Sequence, residues 1–334
     1  MDRGSGNLKV LNQEQGKDWI LYQGDCVEVL KGIPTNSIHY STFSPPFASL
    51  YTYSNSERDM GNCMSDKEFY KNMEFLAPEL YRVIMPGRLV SFHCMDIPAM
   101  KERDGFIGLK DFPGNLLRIF EKAGFIYHSK VMIWKDPLTE ATRTKALGLM
   151  HKQIVKDSAM CRQGLPDYLI TMRKPGNNQE PVAHPEGFTD YIGTDKINAP
   201  KVERPRPDKK AYEKHESYVG GPVFSHQVWR KYASSVWMDI NQSNTLNKEP
   251  ARDSADERHI CPLQLDVIER ALELWTNPGD IVLSPFAGIG SEGYMSVKKG
   301  RKSIGIELKE SYFKQGVNNM REVEKSKLQI SLFD

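Results

Sequence analysis

The chain has 334 residues, 39% hydrophobic and 26% charged, with a formal net charge of +2. That length suits two domains, or one α/β domain with a large insertion. The balance supports a buried core and neither demands nor bars a nucleic-acid partner. No run of 18 apolar residues occurs, which excludes a transmembrane helix, and Met1–Gly6 carries no apolar stretch that would predict a secretory signal.

The five cysteines, at 26, 63, 94, 161 and 261, form no C-x-x-C pair. A structural zinc site or disulfide scaffold is therefore not expected, no metal ligands are assigned, and reduced thiols in a cytoplasmic setting are predicted. In chain order, Trp19–Tyr22 reads as a strand and Val27–Lys31 as a short helix, and Gly32–Asn36 makes a turn. Ile38–Phe43 is a second strand ending at Ser44-Pro45-Pro46-Phe47. Phe69, Met73, Leu76 and Leu80 recur at helical spacing and predict a helix over 66–83, which Pro86-Gly87 stops. Arg88–His93 and Phe125–Trp134 read as strands flanking a helix over 116–123. Such alternation predicts a doubly wound, mostly parallel α/β sheet.

The pattern then weakens. Residues 135–231 hold 17 Lys and Arg against 12 Asp and Glu, and seven prolines fall between 175 and 222. This reads as an inserted, loop-rich module, because long irregular stretches in compact domains usually carry function. Periodicity returns with a helix over 263–275, a strand at 281–283, a helix over 292–298, a strand at 303–307 and a charged helix from Lys309.

Two constellations carry chemistry. The 281–283 strand feeds Gly288-Ile289-Gly290, which opens a helix, and Glu307 ends the next strand. Glycines let a cofactor approach the backbone, and the acid can accept both hydroxyls of a ribose. A tight strand-to-helix turn with no ligand would use the same glycines. The second constellation is Ser44-Pro45-Pro46-Phe47. Two prolines stiffen the backbone and remove two N–H donors, leaving the Ser44 side chain and a carbonyl as acceptors beside an aromatic ring. That set suits an exocyclic amine on a flat base. His93, beside Cys94 at a strand end, reads either as a core histidine or as an edge of this site.

Ser-Pro-Pro-Phe, with Ser284-Pro-Phe-Ala-Gly-Ile-Gly-Ser291 and Gly305-Ile-Glu307, resembles the β class of S-adenosylmethionine-dependent DNA amino-methyltransferases, which modify cytosine N4 or adenine N6. Leu21–Cys26, His259–Leu263 and Asn277–Asp280 resemble further segments of that family. The chain departs from it at Ser284, where Asp is usual, and at Ile289, where Ser or Thr is common.

The resemblance implies a circularly permuted class I methyltransferase fold. Residues 1–134 would be the catalytic half, 135–236 a target-recognition insertion and 237–334 the cofactor half. It implies a catalytic site of Ser44, Pro45, Pro46 and Phe47. The S-adenosylmethionine site would be lined by Asp25, Cys26, His259, Pro262, Phe286, Ala287, Gly288, Gly290, Ser291 and Glu307. Ser rather than Asp at position 44 is the cytosine-N4 pattern, and adenine N6 is the alternative. Cytosine-C5 chemistry needs a thiolate, usually after proline, and no cysteine here follows one.

The implied substrate is a base flipped from duplex DNA. Arg143, Lys145, Lys152, Lys156, Arg162, Arg204, Arg206, Lys209 and Lys210 are candidate phosphate contacts. A homodimer and a cognate restriction endonuclease are the implied protein partners. An RNA methyltransferase and a non-catalytic DNA-binding regulator on the same fold are the competing readings.

Overall fold

A computed structural model describes residues 9–46, 65–99, 101–144, 147–184, 187–188, 191–193, 228–251 and 262–331. The strands are β1 Asn12–Gln15, β2 Trp19–Gln23, β3 Ile38–Phe43, β4 Ile84–Cys94, β5 Ile97–Ala99, β6 Gly108–Lys110, β7 Ile126–Ile133, β8 Asp167–Arg173, β9 Val236–Trp237, β10 Ile281–Ser284 and β11 Lys302–Glu307. The helices are α1 Cys26–Leu30, α2 Asp66–Val83, α3 Lys101–Asp104, α4 Phe112–Lys122, α5 Pro137–Thr144, α6 His151–Lys156, α7 Leu265–Trp275, α8 Ser291–Lys298 and α9 Glu310–Ser331. None of these helices is long and apolar enough to cross a membrane.

Nine strands form one sheet in the order β1-β2-β11-β10-β3-β4-β8-β7-β9. The run from β2 to β4 is parallel, while β1 and β8 run antiparallel to their neighbours. The N-terminal and C-terminal portions of the chain meet in the middle of this sheet, where Val282 pairs with Tyr40 and Leu283 with Ser41. From that seam β10 connects outward to β11 and β3 connects the other way to β4. The chain therefore leaves the two adjacent strand ends in opposite directions. A crevice at the carboxyl ends of such a pair is the usual binding place of open α/β sheets.

Helix α2 forms because its apolar residues share one face. Phe69, Met73, Leu76, Ala77, Leu80 and Val83 are all fully buried in a core with α1, α4, Phe43 and Phe92. Ser65 caps it by accepting from the Glu68 N–H at 3.3 Å. On the opposite layer, Val267, Ile268, Ala271 and Leu272 of α7 bury against Tyr40, Val282 and Met295. A third cluster joins α9 to β2 through Phe313, Val317, Trp19 and Leu21.

Three expectations change. Helix α2 ends at Val83, and Pro86-Gly87 lies inside β4, where Gly87 takes a φ of +77°. The dipeptide there is a strand irregularity rather than a helix stop. The short strand β1 adds an edge that the polar run Asn12–Gln15 did not suggest. Most important, the boundary at 135 does not divide the sheet. Residues 167–173, read as part of an insertion, form β8 between β4 and β7, with Leu169 fully buried and Ile170 nearly so. The far end of that stretch is tied down as well. Arg270 of α7, fully buried, pairs with Asp239 at 2.7 Å and faces the rings of Tyr191 and Trp237.

Candidate active site

Among the described residues, the candidate catalytic corner and the candidate cofactor loop meet at the carboxyl edge of the central strands. Phe43, the last residue of β3, packs on Phe286 of the loop after β10, with ring centroids 5.7 Å apart. The double-proline corner and the glycine loop are thus neighbours across the seam. Ser44 is half-buried and Pro45 is buried. Phe47 lies outside the described residues.

The glycine loop is built by positive φ angles, +53° at Gly288 and +86° at Gly290, a region L side chains rarely adopt. A Cβ on Gly288 would meet nothing within 4 Å, so the backbone there faces open space. Gly290 N–H donates to the Ala287 carbonyl at 2.7 Å and closes the turn at the start of α8. The Ala287 N–H donates to the Ile306 carbonyl at 2.8 Å, anchoring the loop to β11.

Glu307 completes the cradle. Its two carboxylate oxygens accept from the Gly288 and Lys309 N–H groups, both at 2.8 Å. Its carbonyl accepts from Gly24 N–H at 3.0 Å, so the end of β2 is brought alongside. Asp25 follows and caps α1 by accepting from the Glu28 N–H at 3.0 Å. Burial, with Asp25 and Glu307 adding to it, pushes the Cys26 thiol far up. Burial likewise raises Cys94, so neither thiol supplies a thiolate. Pro262 leads into α7, whose chain direction sets its N-terminus toward the same edge; His259 lies outside the described residues.

Two hydroxyls beside this loop have no hydrogen-bond partner. Ser284 Oγ, at the end of β10, and Ser291 Oγ, at the start of α8, are buried with no hydrogen-bond partner. Buried orphan hydroxyls are costly unless a partner satisfies them. The open face of Gly288, with the Glu307 carboxylate bonded to its N–H, is the feature that fits a ribose-bearing nucleoside.

Glu292, one residue into α8, is the group in this cradle that the sequence reading missed. Burial pushes its carboxyl up to about 8, its own N–H pulls the other way, and Glu307 nearby adds to the rise. The folded chain therefore holds a proton that the unfolded chain releases. The resulting cost is absent below the ordinary value near 4.5, grows as pH rises, and is complete above about 8. Glu292→Gln is expected to remove that loss, which is on the order of a few kcal/mol at full ionisation. Melting temperatures of both proteins between about pH 5 and pH 9 check this. Parallel pH slopes would contradict it.

Beyond the double-proline corner, His93 near the end of β4 is buried, yet it faces Ser44. The Ser44 hydroxyl lies 3.4 Å from both the Nδ1 and the carbonyl oxygen of His93. His93 Nε2 sits 3.1 Å from Asp167 Oδ2, in a contact outside ideal hydrogen-bond alignment. Asp167 is the first residue of β8, and its other oxygen accepts from Lys135 just past β7. Burial alone would raise the Asp167 carboxyl, but His93 and Lys135 outweigh it and hold it below the usual value. Neither Asp167 nor Lys135 was singled out from the sequence, since both fell in the stretch read as a loop-rich insertion.

At the opposite edge, His39, Glu180 and Asp280 cluster within 4.8 Å. His39 Nδ1 accepts from the Ile281 N–H at 3.1 Å, and Asp280 pairs with buried Arg88. That cluster is wired as an ion-pair network bracing the strand starts.

Among the expected DNA contacts, Lys152 and Lys156 are exposed on α6. Arg162 is instead engaged by Glu140 at 3.3 Å and by the Gln163 carbonyl at 2.9 Å. Arg204, Arg206, Lys209 and Lys210, and the side chains of Arg143 and Lys145, lie outside the described residues.

The profile of the N6/N4 DNA methylase family matches residues 38–318, spanning both halves of the sheet and the stretch between them. The chain belongs to this DNA methylase family. The Type II methyltransferase M.ScaI of Streptomyces caespitosus is 23% identical over 91% of the chain and 81% of its own length. A DNA adenine methyltransferase of Escherichia coli, YhdJ, is 43% identical over only 19% of the chain, a match spanning 22% of that relative. Among solved structures, the PvuII cytosine-N4-specific DNA methyltransferase aligns with a TM-score of 0.57 at 15% identity, over 92% of this chain and 91% of that one. The protein TTHA0409 of Thermus thermophilus, solved with S-adenosyl-L-methionine, aligns with a TM-score of 0.56 at 20% identity, over 91% and 95%. These structures share the mostly parallel class I methyltransferase sheet described above.

Proposed function

We propose that the chain transfers a methyl group from S-adenosylmethionine to the exocyclic N4 amine of a cytosine flipped out of duplex DNA. The observation that carries this reading is the acceptor at position 44. It is a neutral hydroxyl on a rigid Pro-Pro corner, packed through Phe43 and Phe286 beside the glycine loop. The PvuII enzyme, which shares this fold, is named as cytosine-N4-specific. Adenine N6 is the second reading, favoured by the short match to the E. coli adenine methyltransferase.

The methyl donor is S-adenosylmethionine. Glu307 would hold its ribose, Gly288 and Gly290 its backbone-facing edge, and Ser284 and Ser291 its polar tail, with Asp25, Cys26, Pro262, Phe286 and Ala287 around it. When bound, it supplies an electrophilic methyl on a sulfonium, which the amine nitrogen takes. The residues of the chain act on the amine. Its lone pair is normally conjugated into the ring, which makes it a poor nucleophile. Ser44 Oγ accepts one of its N–H groups and favours a more tetrahedral nitrogen. Pro45 and Pro46, with no N–H of their own, present no competing donor. No covalent enzyme intermediate is needed.

The surface between α5 and β8, with exposed Lys152 and Lys156 beside exposed Ile154 and Val155, would meet the duplex. A homodimer and a cognate restriction endonuclease are proposed partners, and the relative M.ScaI is named a Type II methyltransferase. Competition between duplex DNA and RNA of equal sequence, with methyl-labelled cofactor, tests the substrate class. Label is expected in the DNA. Label in the RNA would overturn that choice, and label in neither would favour a non-catalytic regulator.

A further inference from the structure

The amine carries one proton too many once it is methylated, and the structure holds a chain of groups behind Ser44 that can take it. We propose that His93, oriented by Asp167 and Lys135, is the proton acceptor that works through Ser44. This rests on the amine-methylation reading above and adds the group that completes it.

The geometry is the argument. Ser44, His93, Asp167 and Lys135 come from four segments, the ends of β3, β4 and β7 and the start of antiparallel β8. All four therefore reach the same edge of the sheet. His93 and Asp167 are 6% and 2% exposed, so this row of polar groups is held out of water. A buried carboxylate facing one imidazole nitrogen favours the tautomer with its proton on that nitrogen. Asp167 lies by Nε2, which leaves Nδ1 as the acceptor, and Nδ1 is the atom toward Ser44 Oγ. Both contacts of the Ser44 hydroxyl go to His93, so its proton points back toward this residue and its lone pairs turn toward the incoming amine.

The step balances. As the C–N bond forms and the C–S bond breaks, the electron pair stays on sulfur and the nitrogen becomes cationic. Its extra proton passes to Ser44 Oγ while the Ser44 proton moves to His93 Nδ1. The imidazolium that results faces the Asp167 carboxylate, which burial alone would not keep charged but which His93 and Lys135 do. Lys135 shares that carboxylate through its other oxygen, so it is neutralised without being withdrawn from His93. Titratable groups on the elements packed near His93 include Asp167 and Tyr168 on β8, Lys130 and Lys135 on or just after β7, Cys94 and Asp96 on or after its own strand, and Asp111 before α4. Burial keeps the Cys94 thiol protonated. Asp96 is bonded by the Tyr168 hydroxyl at 3.4 Å.

His93→Gln and Asp167→Asn test the proposal, measured by single-turnover methyl transfer to duplex DNA and by cofactor titration. Each is expected to lower kcat, by about 100-fold for His93→Gln and about 10-fold or more for Asp167→Asn. KM for DNA and Kd for the cofactor should stay within about twofold. The wild-type rate should rise with pH, and His93→Gln should lose that rise. A buried histidine with only a packing role would change the melting temperature and leave both the kcat–KM split and the pH profile alone. If Asp167→Asn fails to fold because Lys135 is left unpaired, His93→Gln carries the test. Wild-type transfer with both variants at full kcat, or with His93→Gln keeping the pH rise, overturns the relay and leaves amine methylation standing. No transfer by the wild type instead removes the reading on which the relay rests.

Discussion

Ser44→Ala is expected to abolish most methyl transfer while leaving cofactor binding intact. The hydroxyl stands at the one place where the end of β3 adjoins the loop after β10. Alanine keeps the backbone, the two prolines and the packing of Phe43 on Phe286. It removes the acceptor for the amine and breaks the contact to His93. Losing one preorganised polar group aimed at developing charge typically costs about 100- to 1000-fold in kcat. The proposed cofactor contacts do not include Ser44, so its Kd should change by less than about twofold. Single-turnover label transfer and calorimetric titration of the cofactor separate the two effects. A variant with full activity would remove Ser44 from the mechanism, and one that loses cofactor binding would mean that the corner shapes the cradle.

Glu307→Ala is expected to give the opposite pattern, with cofactor binding lost first. The carboxylate does two things at once. It fixes the glycine loop through the Gly288 N–H, and it fixes the start of the next turn through the Lys309 N–H. A carboxylate has about four acceptor sites, and ribose hydroxyls are donors suited to it. Hydrogen bonds to a charged group contribute about 1.5–3 kcal/mol each. Losing two to the cofactor predicts a Kd raised roughly 100- to 10,000-fold. Glu307→Gln should fall between the two, because its NH2 group must face one of the two backbone N–H donors. Calorimetry reads both. A Kd within about fivefold of wild type for Glu307→Ala would place the ribose elsewhere.

Much of this site was legible because its signals are local. Ile38–Phe43 and Asp66–Val83 appear with the bounds their periodicity predicts, since an apolar run bounded by turn residues or a 3.6-residue stripe is written within the segment itself. The glycine loop was legible for the same reason, as only glycine suits its positive φ angles. What the sequence hid is what depends on distant pairing. Strand β8 is seven residues among prolines and charges, and it becomes a strand only because β4 and β7 hydrogen-bond to both its edges. With β8 unread, Asp167 had no place, and His93 beside it could not be told from a core histidine. Pro86-Gly87 misled in the same way, because the strand around it is imposed by β3 and β8.

The identity of the methylated atom tests the account most directly. Duplex DNA treated with the chain and S-adenosylmethionine would be digested to nucleosides, separated by chromatography to resolve isomers of equal mass, and weighed. The account predicts N4-methyl-2′-deoxycytidine, absent when Ser44→Ala replaces the wild type. N6-methyl-2′-deoxyadenosine as the sole product would contradict the cytosine assignment, and 5-methyl-2′-deoxycytidine would contradict the amine chemistry itself.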